Sequence, residues 1–194
     1  MPFRSSSCKS KFAAISAGQL ICAGLLFAQE RVNPQAAVLA RFSERVNAYL
    51  SLQKKVESGL PSQKETTNPD QIKARVSALA YGIKSARAGA KPGDVFGSAA
   101  DQFRQIIAED SRNRTVRDAF AAMEDVPKRN PTTVNADYPE TAALATVPAL
   151  ILKRLQRLPE GVEYRFMGRD LILRDTKANV IVDLLHEAVP TVAK

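Results

Sequence analysis

Arginines and carboxylates crowd the stretch "EYRFMGRDLILRDTKANVIVDLL", residues 163–185. Arg169, Asp170, Arg174, Asp175 and Asp183 have the composition of a catalytic array, in which acids move protons and arginines steady developing negative charge. A second set lies earlier in the chain. Arg114 and Arg117 are three apart, so a helix points them together, and with Arg104 they could clamp a carboxylate or phosphate. Their nearer partners in sequence are Glu109, Asp110 and Asp118, which makes local ion pairs the ordinary outcome.

Other chemistries lack their residues. His186 is the only histidine, and "HEAVP" has no second His four residues on, as a zinc-peptidase helix requires. Asp183 and His186 fall on opposite faces of a continued strand, so they pair poorly around a metal. There is no G-x-S-x-G elbow, and Gly93-Asp-Val-Phe-Gly97 lacks the Lys of a phosphate-cradling loop. Both cysteines, Cys8 and Cys22, precede residue 29, so the rest of the chain has no disulfide, thiolate nucleophile or Cys-ligated metal. No catalytic residue, metal or cofactor is expected.

The elements that must carry these residues begin after an export signal. In residues 1–28, Arg4, Lys9 and Lys11 precede an apolar run from Phe12 to Phe27, and Ala28 is a small residue at the cut. Cleavage after Gly24 is the alternative. The run is too short and too interrupted for a membrane span, so none is expected once the signal is removed. Whole-chain charge is 28 − 20 = +8, and without the three signal bases it is 25 − 20 = +5. Segment 71–117 holds nine bases against four acids. Export argues against nucleic acid as partner, and a basic face suits an anionic envelope component or an acidic protein. The plainer reading of such a run is a solvated helix surface.

A helical body is expected over residues 29–126. Asn33-Pro34 and Asn68-Pro69 repeat one start signal, an Asn cap followed by a Pro whose missing N–H costs nothing in the first turn. Leu39, Phe42, Val46, Tyr49, Gln53, Val56 and Leu60 then form one narrow seam, and Ile72, Val76, Leu79, Ile83 and Ala86 a second. "GLPSQKETTN" is short enough to fold the two helices back as an antiparallel hairpin. Gln53 is read as lying where its seam meets solvent. Ser98 and Asp101 resemble a capping box before a further helix, and Val116, Phe120 and Met123 share one face of the next. Residues 127–148 carry Pro127, Pro131, Pro139 and Pro148 and read as an extended crossover, tacked down by Val134, Tyr138 and Leu144. A short helix, 149–158, buries Ile151, Leu152, Leu155 and Leu158.

Residues 149–194 end in a three-stranded antiparallel meander. Gly168-Arg169, with Gly first, predicts a two-residue type II′ turn, which makes opposite residues sum to 337 and sets Glu163 beside Arg174. With 176–179 as the next loop, Leu173 faces Val182 and Leu171 faces Leu184, and Asp175 caps the loop amides. The apparent catalytic array then alternates outward or sits in turns. Ile172 and Ile181 leave an apolar spot on the outer face, either under the 149–158 helix or open to a partner. The fold class expected is α+β, mainly α.

The ending "YRFMGRDLILRDTKANVIVDLL", preceded by "TVPALILKRLQRLPEGVE", resembles a group of uncharacterised exported bacterial proteins. They are similar in having a signal, a helical body and a YRFxGRxLxLxDxxxNxIVD ending. The resemblance implies no activity and assigns no residue a role. An exported envelope protein that binds a partner is the reading the sequence leaves, with a small-anion binder and an unfamiliar enzyme as alternatives.

Overall fold

Asn33 and Asn68 open their helices as the Asn-Pro pairs predict. In the computed structural model, which describes residues 33–62, 66–113, 115–118, 133–139 and 147–190, Asn33 Oδ1 accepts from the Gln35 amide at 3.0 Å. Asn68 Oδ1 accepts from the Asp70 amide at 2.9 Å. All these residues belong to one compact unit, Val32–Lys194; the expected export signal lies outside them.

Helix α1 (Pro34–Ser58) and helix α2 (Pro69–Ala86) run antiparallel. Pro61 accepts from Arg75, Val56 lies against Gly82, and the Arg87 guanidinium sits 5.1 Å from the Tyr49 ring. Gly82 permits this approach, because a Cβ there would come 2.4 Å from Val56 Cγ1. This register carries the first turns of α2 past the end of α1. Ile72 therefore stays 47% exposed although it continues the seam, and only Leu79, Ala80 and Ile83 of α2 are buried. The other half of α1 packs elsewhere: Phe42 meets Phe96 and Phe103 with ring centroids 5.7 and 5.0 Å away.

Phe103 lies on helix α3 (Ala100–Asp110), which follows a single 3-10 turn, Gly97–Ala99. The expected Ser98–Asp101 capping box does not form. The 3-10 turn moves the helix start past Ser98, no side chain caps it, and Asp101 pairs with Arg104 instead. Residues 115–118 are helical with Val116 buried; Phe120 and Met123 lie outside the described residues. Helix α4 (Ala149–Arg154) is shorter than expected. Leu155 is already extended (φ −71°, ψ 153°), so one face survives, with Ile151 and Leu155 buried. Leu152, turned about 100° from Ile151, is 43% exposed rather than buried. Among the described residues no helix is long and apolar enough to cross a membrane.

The sheet is the expected antiparallel meander, β1 (Val162–Met167), β2 (Asp170–Asp175) and β3 (Val180–Leu185), in sequence order. The first hairpin keeps the predicted register throughout, with Tyr164 opposite Leu173 and Glu163 opposite Arg174. Gly168 takes φ 58°, as a II′ turn demands. The second starts as predicted, with Asn179 at φ 54° and Asp175 opposite Val180, but shifts at a bulge between Leu173 and Arg174. Leu173 then faces Asp183 and Leu171 faces Leu185, one residue beyond the expected partners. Val182 is the extra residue, and its carbonyl accepts from Arg87 at 2.9 Å.

One buried cluster joins α1, α2, α3, α4 and the inner sheet face, where Val182 and Leu185 lie beside Leu171 and Leu173. Leu184 goes to the outer face with Ile172 and Ile181. Neither α4 nor open solvent covers this outer spot; the crossover does. Residues 133–139 run along β3, with Asn135 N–H donating to Ile181, Ile181 N–H to Ala136, and Tyr138 N–H to Asn179. Val134 and Tyr138 pack on the outer spot, as their tacking role required; Leu144 lies outside the described residues.

Candidate functional site

Two members of the expected arginine clamp, Arg104 and Arg117, lie in described residues. Arg104 donates to Asp101 at 3.2 Å and to the His186 carbonyl at 3.3 Å. Arg117 is exposed on the 115–118 turn, and Arg114 lies outside the described residues. Glu109 and Asp110, read as their local partners, are taken by Arg154, at 2.6 Å each. Hydrogen bonds from Arg154 and Gln105 hold the Glu109 carboxyl below the usual range.

The ionic residues of the hairpins are engaged in holding the fold. Asp170 accepts from the Glu187 amide at 2.9 Å and lies 3.2 Å from His186 Nδ1. Arg169 donates to the Val189 carbonyl, tying the segment after β3 to the first turn. Asp175 does cap the Lys177 and Ala178 amides, at 2.8 Å each. Its other oxygen accepts from Tyr49 Oη and Gln53 Nε2, both at 2.6 Å, so the carboxylate is wholly buried against α1. Gln53, expected at the edge of solvent, is 2% exposed because this carboxylate needs its donor. Asp183, expected outward, is also fully buried. It accepts from the amides of Gly93, Val95, Phe96 and Leu184 at 2.7–2.8 Å. Burial pushes its carboxyl above the ordinary aspartate range, and the four amides pull it partly back. Among the described residues no three His, Cys, Asp or Glu side chains gather closely enough to hold a metal.

Glu163 pairs with Arg174 as the register required, at 2.8 Å, and Arg165 grips both its oxygens at 2.8 Å. Burial raises its carboxyl, but the two guanidinium partners outweigh that and hold it below the usual glutamate value. A folded pKa below the unfolded one gives stability that is present above the ordinary glutamate range and lost as pH falls through the folded value. Wild type should therefore exceed Glu163→Gln by roughly 1 kcal/mol at neutral pH, and the gap should close in acid. Urea titrations of both proteins across that range measure it, and a gap independent of pH would rule out the ionic role.

The open surface with the most chemistry is a cleft of about 930 Å³ between α2 and the outer side of the sheet. Helix α2 supplies Ile72, Lys73, Val76, Ala80, Tyr81 and Lys84. The opposite wall is Asp137, Tyr138 and Pro139 of the crossover, with Arg174 and Lys177 from the β2–β3 turn region. Tyr81 is 76% exposed and Ile72 47%, the largest apolar exposure on either helix of the hairpin. Below them Tyr138 is buried under the Arg174 guanidinium, 4.6 Å from its ring, and burial raises its phenol above the usual tyrosine value. Lys84 crosses the cleft to Asp137 at 2.6 Å, and Lys177 reaches Glu57 at 3.2 Å. Lys73 has no ion pair among the described residues. Among the described residues, four bases thus line the cleft against one acid.

Sequence reasoning missed this site. Its signals in the sequence are Lys73 and Lys84 of the basic run 71–117 and Tyr81, an aromatic on α2 off the apolar seam, whereas Ile72 reads as part of that seam. Neither Arg104 nor Arg117 is among the cleft residues. No protein-family model, curated protein or solved structure matches the chain.

Proposed function

We propose that the chain is an exported protein of the bacterial envelope that acts by binding, without catalysis, and holds an anionic partner in the α2 cleft. The observation that carries this is the pairing of exposed Tyr81 and Ile72 with Lys73, Lys84 and Lys177 in one concave surface. Apolar side chains exposed in a recess favour a partner that covers them, and lysines around them select negative charge. The engagement of Glu163, Asp170, Arg174, Asp175 and Asp183 in structural bonds supports a binding role over a catalytic one.

A single dye tests it, because the chain beyond residue 28 has no cysteine of its own. Ser77, exposed on the cleft wall, is replaced by Cys and labelled; Ser51, exposed on α1, is the control position. Polyglutamate or phosphatidylglycerol vesicles at low salt should shift the emission at 77 and leave that at 51 unchanged, and added salt should reverse the shift. No response at 77 to either polyanion would refute the cleft as the binding surface.

A further inference from the structure

We propose that the occupant of the cleft is an acidic peptide segment in which carboxylates alternate with apolar side chains; this rests on the binding role argued above. The shape excludes a bilayer as the better fit. A flat or convex basic face suits a membrane surface, whereas here the apolar groups Val76 and Ala80 lie on the wall of a recess, with Tyr81 standing at its rim. A narrow chain fits such a recess more closely than a lipid headgroup layer does. The apolar wall also argues against a purely charged polymer, which leaves Ile72 and Tyr81 uncovered.

The charges are placed for exchange. Lys84–Asp137 and Lys177–Glu57 are exposed pairs, with 31%/68% and 52%/34% of their side chains open to solvent. Such pairs are weak, so an incoming carboxylate can replace either intramolecular partner at little cost. Lys73, on the helix side, has no ion-pair partner among the described residues. An alternating peptide lays its apolar side chains between Tyr81 and Ile72 and its carboxylates toward Lys73 and Lys177. Arg174 stays out of this exchange, because Glu163 and Asn179 already fill its guanidinium.

The test uses the chain from residue 29 onward and a short fluorescent peptide alternating Glu with Leu, read by anisotropy. Polyglutamate and phosphatidylglycerol vesicles are the competitors. The peptide should bind more tightly than either. Reversing two contacts in Lys73→Glu/Lys177→Glu should weaken it about tenfold or more, as loss of two charge contacts implies. Tyr81→Ala should weaken it several-fold, and Ser77→Trp, which fills the recess and keeps every charge, should do the same. All four substituted positions are exposed, so unchanged thermal melts are the control for folding.

Peptide binding no tighter than polyglutamate, or unmoved by Tyr81→Ala and Ser77→Trp, would overturn the apolar half of the proposal. Vesicle binding that depends on Lys73 and Lys177, with no peptide binding, would overturn the peptide and leave the cleft as an anionic-surface site. Binding of every probe unaffected by any of the variants would overturn both.

Discussion

Asp175→Ala should cost the folded protein roughly 3–5 kcal/mol, a large share of the 5–15 kcal/mol typical of a domain. Four donors converge on this carboxylate from two parts of the chain: the Lys177 and Ala178 amides locally, and Tyr49 and Gln53 from α1. Three of these bonds, from Ala178, Tyr49 and Gln53, are buried around a side chain with no exposure, so removing the acceptor leaves those donors buried and unmatched. Burial, aided by the charge of Asp175, pushes the Tyr49 phenol far above the usual tyrosine range, so it donates at every working pH. Tyr49→Phe removes one bond to a charged acceptor and leaves three. It should cost about 1.5–3 kcal/mol, less than Asp175→Ala. Urea unfolding of the two variants and of the double variant measures both costs and their coupling. If Asp175→Ala unfolded at the wild-type urea concentration, the carboxylate would not be the join between helix and sheet.

Asp183→Ala should cost a similar amount, about 3 kcal/mol or more, with a different local signature. Among the described residues its carboxylate is the only acceptor for the amides of Val95 and Phe96, and it anchors Gly93 as well. The anchored loop places Phe96 against Phe42 and Phe103, at 5.7 and 5.5 Å, so losing the anchor loosens the ring cluster between α1 and α3. Hydrogen exchange should accelerate at residues 93, 95 and 96 well before the protein unfolds globally. Asp183→Asn keeps the shape but turns an N–H₂ toward amide donors, so it should recover only part of the loss. Full stability in Asp183→Asn, with unchanged exchange in the loop, would show that the amides do not need the carboxylate.

These two aspartates mark the limit of what the chain shows by inspection. Residues that settle their geometry with near neighbours were legible. Asn33-Pro34 and Asn68-Pro69 start helices because cap and first turn are adjacent. Gly168-Arg169 fixes the first hairpin because its turn admits one register, and the local half of the Asp175 cap, from Lys177 and Ala178, followed from the loop alone.

Partners far along the chain decided the rest. Alternation alone puts Asp183 outside; amides 87–90 residues away make it affordable inside, and the bulge at Val182 brings it there. Gln53 is buried because a carboxylate 122 residues on accepts its hydrogen bond. Ile172 and Ile181 are covered by a crossover that the sequence showed only as extended. The cleft was the least legible feature, since its walls come from α2 and from residues 137–139 and 174–179. Local sequence determines which elements form, because turns and caps are energies of adjacent residues. Which polar groups those elements bury, and which surfaces they leave open, was decided only when the helices closed on the sheet and each buried donor found its acceptor.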